Sequence, residues 1–193
     1  MRLVTAIALL VMLTAVGCGS SPTSPSSSSG TLRVMLTDSP FTDAKSLLVT
    51  FSDVSVHRSD QPDDSGWTKL TFSNSATSRT CDLKKLQSAQ DVLGTGSPAA
   101  GHYTQIRLTV SSAKLFFDNA ASGNACDATI GAPNGRSADV TIPSGEVKLN
   151  REFDVSSSGA TTITLDFDGD RSVRETGNGQ FTMSPVITVV SVQ

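Results

Sequence analysis

Glu146-Val147-Lys148-Leu149-Asn150-Arg151-Glu152-Phe153-Asp154-Val155 places apolar side chains at 147, 149, 153 and 155, and polar or charged ones between them. A period of two is the pattern of a strand with one face in a core and the other in water. Ser156 to Ala160 follows as a turn, and Ile163, Leu165 and Phe167 bring the chain back, which predicts a hairpin. Working outward, Leu32, Val34 and Leu36 predict a first strand, ended by Asp38-Ser39-Pro40, because proline lacks an N–H and aspartate favours turns. A second strand is expected from about Leu47 to His57. Its apolar set changes parity between Phe51 and Val54, which predicts a β-bulge at Ser52-Asp53.

The remaining chain reads in the same way. Arg58 to Gly66 is a polar loop, and Trp67 to Phe72 a short strand with Leu70 and Phe72 on one face. Leu83, Leu86, Val92 and Leu93 fit no strand, so a helical turn or short helix is expected around 82–93, covering one end of the core. Tyr103 to Val110 alternates, and Leu115-Phe116-Phe117 continues it after a break at Ser111-Ser112. Asp118 to Ser137 is a long loop that needs either a function or a staple. Val140 and Ile142 form a short strand. Gln180 to Val192 reads as one strand, apolar on both faces near Ile187 to Val190 and therefore central. Many short strands with turns between them predict an all-β fold: an antiparallel β-sandwich of about eight short strands, preferred over a closed barrel.

The N-terminus sets the expected address. Met1-Arg2 is a short basic start, and Leu3 to Val16 is an apolar run too short for a bilayer, which takes about 20 residues. It matches the apolar region of a secretory signal. Ala15-Val16-Gly17-Cys18 resembles the bacterial lipobox, where cleavage precedes a cysteine that is then lipidated. A plain secretory signal with a chance cysteine is the alternative. The expected organisation is a removed signal peptide over 1–17, lipidated Cys18 with a Ser/Pro/Gly tether to residue 30, and one domain over 31–193. Gly19, rather than aspartate, after the cysteine points to an outer membrane.

Cys81 and Cys126 are then the only cysteines left. In an oxidising compartment an even remainder reads as a disulfide, with two free thiols as the alternative. Hydrophobic content of 37% with 17% charged residues is enough for a core, and a net charge of −3 leaves no basic footprint for nucleic acid.

Few residues suggest chemistry. Asp166, Asp168 and Asp170 sit at every second position, as in the start of a calcium loop, but Arg171 stands where such a loop needs glycine and Gly177 where it needs its closing glutamate. The plainer reading leaves Asp166 and Asp168 on the wet face of a strand and Asp170 in the turn. His57 and His102 are too few for zinc without the cysteines. A G-x-S-x-G elbow is absent from the sequence, and Gly94-Thr95-Gly96 lacks the lysine of a phosphate loop. Trp67, directly after a polar loop, is a candidate ligand-stacking residue, although a lone tryptophan at a strand start more often packs. Tyr103 resembles the tyrosine that ties a corner in sandwich domains.

Leu36-Thr37-Asp38-Ser39-Pro40, Gly101-His102-Tyr103-Thr104-Gln105-Ile106-Arg107-Leu108, Leu165-Asp166-Phe167-Asp168 and Ser184-Pro185-Val186-Ile187 occur in an order that resembles the domain-of-unknown-function family numbered 4382, found in exported proteins, often lipoproteins. The resemblance spans nearly all of Thr31 to Val192. It implies a β-sandwich of transthyretin- or immunoglobulin-like type and no established activity, and it carries no site residues. The expected function is a lipid-anchored, non-enzymatic interaction module of the cell envelope with a protein or glycan partner and no cofactor. The alternative is a carbohydrate-binding or calcium-stabilised adhesion domain resting on Trp67 and the aspartate run. An envelope hydrolase would need a histidine paired with serine or aspartate in a cleft.

Overall fold

Two long strands, β2 (Ser46–Arg58) and β6 (Gly101–Phe116), pair antiparallel along almost their whole length and organise the molecule. The computed structural model describes residues 28–39 and 44–193. Cys18, the tether up to residue 27 and Pro40 lie outside the described residues. In β2 the inward residues are Leu47, Val49 and Phe51, then Val54 and Val56, all fully buried. Phe51 pairs with Val110 and Asp53 with Thr109, so Ser52 is the extra residue of the expected bulge. Thr50 pairs with Ser112, which makes Ser111 an extra residue on β6. The two insertions nearly face each other. Both strands change parity together, and their apolar sets stay on the same side. The break expected at Ser111-Ser112 is thus a bulge within one continuous strand.

In chain order the elements around this pair are β1 (Thr31–Ser39), β2, β3 (Trp67–Lys69), β4 (Arg79–Asp82), α1 (Leu83–Leu86), β5 (Asp91–Gly96), β6 and β7 (Cys126–Asp127). Then come β8 (Ser137–Thr141), β9 (Glu146–Val155), β10 (Ala160–Asp168), α2 (Gly169–Ser172), β11 (Val173–Gly177), β12 (Gln180–Met183) and β13 (Ile187–Val192). They form a four-stranded sheet, β13-β10-β1-β5, and a nine-stranded one along β11-β12-β8-β6-β2-β4-β7, with β3 against β2 and β9 against β6. One apolar cluster takes Leu32, Val34, Leu36, Ile163, Leu165 and Phe167 from the first sheet and Val49, Phe51, Val56, Ile106 and Leu108 from the second. Phe51 and Phe167 meet edge-on between the sheets, their centroids 6.2 Å apart.

Four expectations are corrected. The sheets are mixed rather than antiparallel, because β1 runs parallel to β10 and β8 parallel to β12. The hairpin expected from β9 into β10 does not form. β9 pairs with β6, whereas β10 lies between β1 and β13, so residues 156–159 carry the chain from one sheet to the other. Gln180 to Val192 is two strands, and β13 is an edge rather than a centre. Its double-sided apolar look has a local cause. Thr164 pairs with Ser191 and Leu165 with Val189, so Val190 is a bulge residue and is 56% exposed. Finally, the helix expected around 82–93 is only Leu83–Leu86, and strands flank it. β5 escaped recognition for the same reason as β13. Leu93 is the extra residue against Val34 and Met35, and it points inward, fully buried.

Buried polar groups fasten the ends of these strands. Asp82 caps α1 by accepting the Lys84 N–H, and it also accepts the Ser46 hydroxyl (2.8 Å) and the Leu47 N–H. Ser46 Oγ in turn accepts the Ala121 N–H, which holds the 118–136 loop against β2. Burial pushes the Asp82 carboxyl above its usual range, while these hydrogen bonds oppose the shift. At one corner the two sheets are joined directly: Thr71 and Thr95 exchange both backbone hydrogen bonds.

Candidate functional site

The aspartate run lies where β10 enters α2. Asp168 caps that turn, accepting the Arg171 N–H at 2.9 Å, and Asp170 is exposed within it. Asp166 and Asp168 share the face of β10 opposite the core residues Leu165 and Phe167. Next to them, at the end of β1, Asp38 points the other way. It pairs in register with Phe167 and is only 4% exposed. One oxygen accepts the Gly169 N–H at 3.1 Å, and Oδ2 is buried without a hydrogen-bond partner among the described residues. Burial pushes the Asp38 carboxyl up to about 7; hydrogen bonds from Gly169 and Gln87 oppose this, and the negative Asp166 and Asp168 add to it. Among the described residues no group of three or more His, Cys, Asp or Glu side chains is arranged to hold a metal ion.

Trp67 is half-buried at the start of β3. Its indole N–H donates to the Asp63 carbonyl, the Arg107 guanidinium lies 4.1 Å from its ring centroid, and His57 packs against it at 5.0 Å. Protein groups therefore occupy much of the ring that a ligand would use. His57 is itself buried under the 58–66 loop, with Nε2 3.0 Å from the Pro62 carbonyl.

His102 and Asp154 face each other across β6 and β9, with Nδ1 to Oδ1 at 2.9 Å. Both are exposed, so the pair lies on an open strand surface rather than in a cleft. Tyr103, beside it, faces inward and is fully buried. Its hydroxyl donates to the Ala99 carbonyl at 2.7 Å and its ring stacks on Phe153. This is the geometry of a corner-tying tyrosine. Tyr103→Phe leaves the packing intact and removes that bond, so urea denaturation should show a loss of about 1–2 kcal/mol at unchanged m-value. A loss below about 0.5 kcal/mol would mean that the corner does not depend on the hydroxyl.

A further opening lies elsewhere, between β8 and the β11-β12 hairpin of the nine-stranded sheet. β11 and β12 are joined through Asn178 and Gly179, both left-handed (φ 54° and 71°), as a two-residue hairpin turn requires. β12 pairs with β8 only at Val140 and Thr141, so Ser137 to Asp139 have β6 on one side and an open groove on the other. Two adjoining hollows, of about 490 and 430 Å3, share Ser137, Ala138, Gly179 and Phe181. That size is within the range of ligand sites. Phe117 and Phe181, both half-buried, form the apolar part with ring centroids 5.8 Å apart. Arg136 stands over Phe117 and makes three hydrogen bonds to the Asp118 carboxylate, from its backbone N–H at 2.7 Å and from its guanidinium at 3.0 and 2.9 Å. None of the residues singled out in the sequence lines this groove. Asn178-Gly179, the strongest short hairpin signal, would have revealed β11 and with it the groove wall.

In comparisons with known proteins, the model of one family, described as Domain of unknown function (DUF4382), matches residues 29–185. No curated protein and no solved structure matches the chain.

Proposed function

The chain belongs to the family described as Domain of unknown function (DUF4382), and from that premise we propose that it is a lipid-anchored protein of a bacterial outer membrane whose β domain is a non-enzymatic interaction module. In this reading the two mixed sheets form a sandwich of transthyretin- or immunoglobulin-like type. A single core shared by both sheets and the Tyr103–Ala99 tie support that assignment. The observation that carries the functional reading is the groove beside β8. It combines an open strand edge with two half-exposed phenylalanine rings, the elements with which a non-catalytic surface holds a partner. His102 and Asp154 on an open strand surface suit a cross-strand hydrogen bond better than acid–base chemistry.

Export and anchoring follow from the sequence. The apolar start, Cys18 and the tether would hold the domain off the lipid headgroups. Stable residence takes two or more acyl chains, since one is marginal. In bacteria fed labelled palmitate, the full chain should take up the label and its Cys18→Ala variant should take up none. A Cys18→Ala chain labelled as strongly as the parent would sink the anchor.

A further inference from the structure

We infer that Asn134 is a self-modifying site, where the side-chain amide is lost spontaneously to attack by the backbone nitrogen of Gly135. Nothing in this chemistry depends on the interaction-module reading. Asn-Gly occurs twice in the chain, at Asn134-Gly135 and at Asn178-Gly179. In such a step the deprotonated glycine nitrogen attacks the asparagine Cγ. A C–N bond forms, ammonia leaves with Nδ2, and a cyclic imide remains. Water, the only co-reactant, then opens the imide at either carbonyl and gives aspartate or iso-aspartate.

The two pairs are alike in sequence, and the fold separates them. The Gly179 N–H donates to Glu175 Oε1 at 3.1 Å, and β11 and β12 hold the turn closed on either side. That nitrogen is engaged, and the carboxylate beside it opposes loss of its proton. Asp168-Gly169, which leads to the same imide, is blocked likewise, since the Gly169 N–H donates to Asp38 at 3.1 Å. At Asn134 the reacting groups are free. Both residues are exposed, and neither the Asn134 side-chain amide nor the Gly135 N–H makes a hydrogen bond within the described residues. Asn119 donates to the Asn134 carbonyl at 2.8 Å, which draws electrons from the peptide group whose nitrogen must lose its proton. Gly135 has a φ of 107°, and a Cβ there would lie 2.8 Å from the Asp118 Cβ. The fold therefore keeps this position a glycine, with no side chain to shield the nitrogen.

The product alters the rim of the groove. Arg136, the next residue, lines the hollow with Phe117 and holds Asp118 through its backbone N–H at 2.7 Å. Iso-aspartate inserts a methylene into the backbone just before this contact and adds a negative charge near Asp118. With Asp118 packed against Gly135, the extra length moves Arg136 out of line with the carboxylate.

The test is peptide mapping of the purified full chain after storage in mildly alkaline buffer at physiological temperature. Trypsin, cutting after Lys114, Arg136 and Arg174, puts the two Asn-Gly pairs on separate peptides. Electron-transfer fragmentation then locates each new acid and distinguishes iso-aspartate from aspartate. In the folded chain Asn134 should convert at least several-fold faster than Asn178, and faster still as pH rises. In chain unfolded by urea, with the disulfide reduced, the two should convert at similar rates. The iso-aspartate chain should also lose hydrogen-exchange protection at the Arg136 N–H and at the Phe117 N–H, which donates to the Arg136 carbonyl. Asn134→Asp, which adds the charge without the methylene, should keep most of that protection.

Asn178 converting as fast as Asn134 in the folded chain overturns the inference. So does an Asn134 that converts only after unfolding, because the folded loop would then shield it. Unchanged protection at Arg136 and Phe117 in the iso-aspartate chain would overturn the effect on the groove.

Discussion

Replacing Cys81 and Cys126 together by serine should lower the thermal midpoint by roughly 8–16 °C. The disulfide closes a separation of 45 residues, and in the chain-entropy model a loop of that length stabilises the folded state by about 4 kcal/mol. A domain of this size shifts by about 2–4 °C per kcal/mol. The surroundings explain why little else can take over. β4 and β7 pair through only two positions, Thr80 with Asp127 and Cys81 with Cys126. Arg79, nearly buried, donates from Nη2 to the Asp91 carboxylate and to the Cys126 carbonyl, while Asp91 Oδ2 accepts the Cys126 N–H. That knot stays in register only while the 118–136 loop is held at Cys126. Melts followed by circular dichroism should therefore agree for the double-serine chain and for the parent under reductant. A shift of under about 3 °C in both would mean that the loop holds its place without the bridge.

Asp38→Asn should abolish most of a stability loss that the parent suffers between about pH 4 and pH 7. Folding raises the Asp38 carboxyl from 3.8 to about 7, chiefly by burial, so in that interval the folded state binds a proton that the unfolded chain has released. Stability therefore falls as pH rises: the contribution is complete below 3.8 and lost as pH passes through about 7. At 1.36 kcal/mol per unit the full span is of the order of 4 kcal/mol, the upper end of what relaxation around Oδ2 would leave. Of the groups facing this carboxyl, the negative Asp166 and Asp168 act in the same sense as burial, whereas the Gly169 N–H and Gln87 donate to it and oppose the shift without reversing it. Asparagine keeps an acceptor for Gly169 and never ionises. The variant should match the parent within about 1 kcal/mol at pH 4 and exceed it by roughly 2–4 kcal/mol at pH 8, read from urea midpoints. A residual slope is expected from Asp82, which burial shifts in the same direction. Parallel pH profiles for parent and variant would show that the folded corner accommodates the Asp38 charge without cost.

The strands that were legible in the sequence are those whose alternation runs unbroken or breaks once in a readable place. β2 was read within one residue of its ends and β1 was read to Thr37, although it runs on through Asp38 to Ser39, and the parity change between Phe51 and Val54 located the bulge at Ser52. β5 and β13 were misread for a common reason. A single extra residue, Leu93 in one and Val190 in the other, puts two apolar side chains in succession on opposite faces. β4 and β11 are too short or too polar to show a period, and Arg79–Asp82 is held by its pairing with β2 and β7 rather than by any pattern of its own. Of the candidate site, the disulfide and the inward Tyr103 were legible. The groove was not, because Phe117, Ser137 and Phe181 come together only through the parallel pairing of β8 with β12.

By itself the sequence determined the all-β character, the inward residue sets of the long strands, the staple between Cys81 and Cys126, and membership of its family. Each of these depends on local periodicity, on residue count or on ordered short motifs. The tertiary structure alone decided which sheet each strand joins. After the turn at residues 156–159 the chain can double back on β9 or cross the core, and the choice rests on Ile163, Leu165 and Phe167 filling the space opposite β2 and β6. It also decided the state of Asp38. An aspartate at the end of a strand is ordinary in sequence, and only the closure of α2 and Phe167 around it removes the water that would otherwise hold its charge.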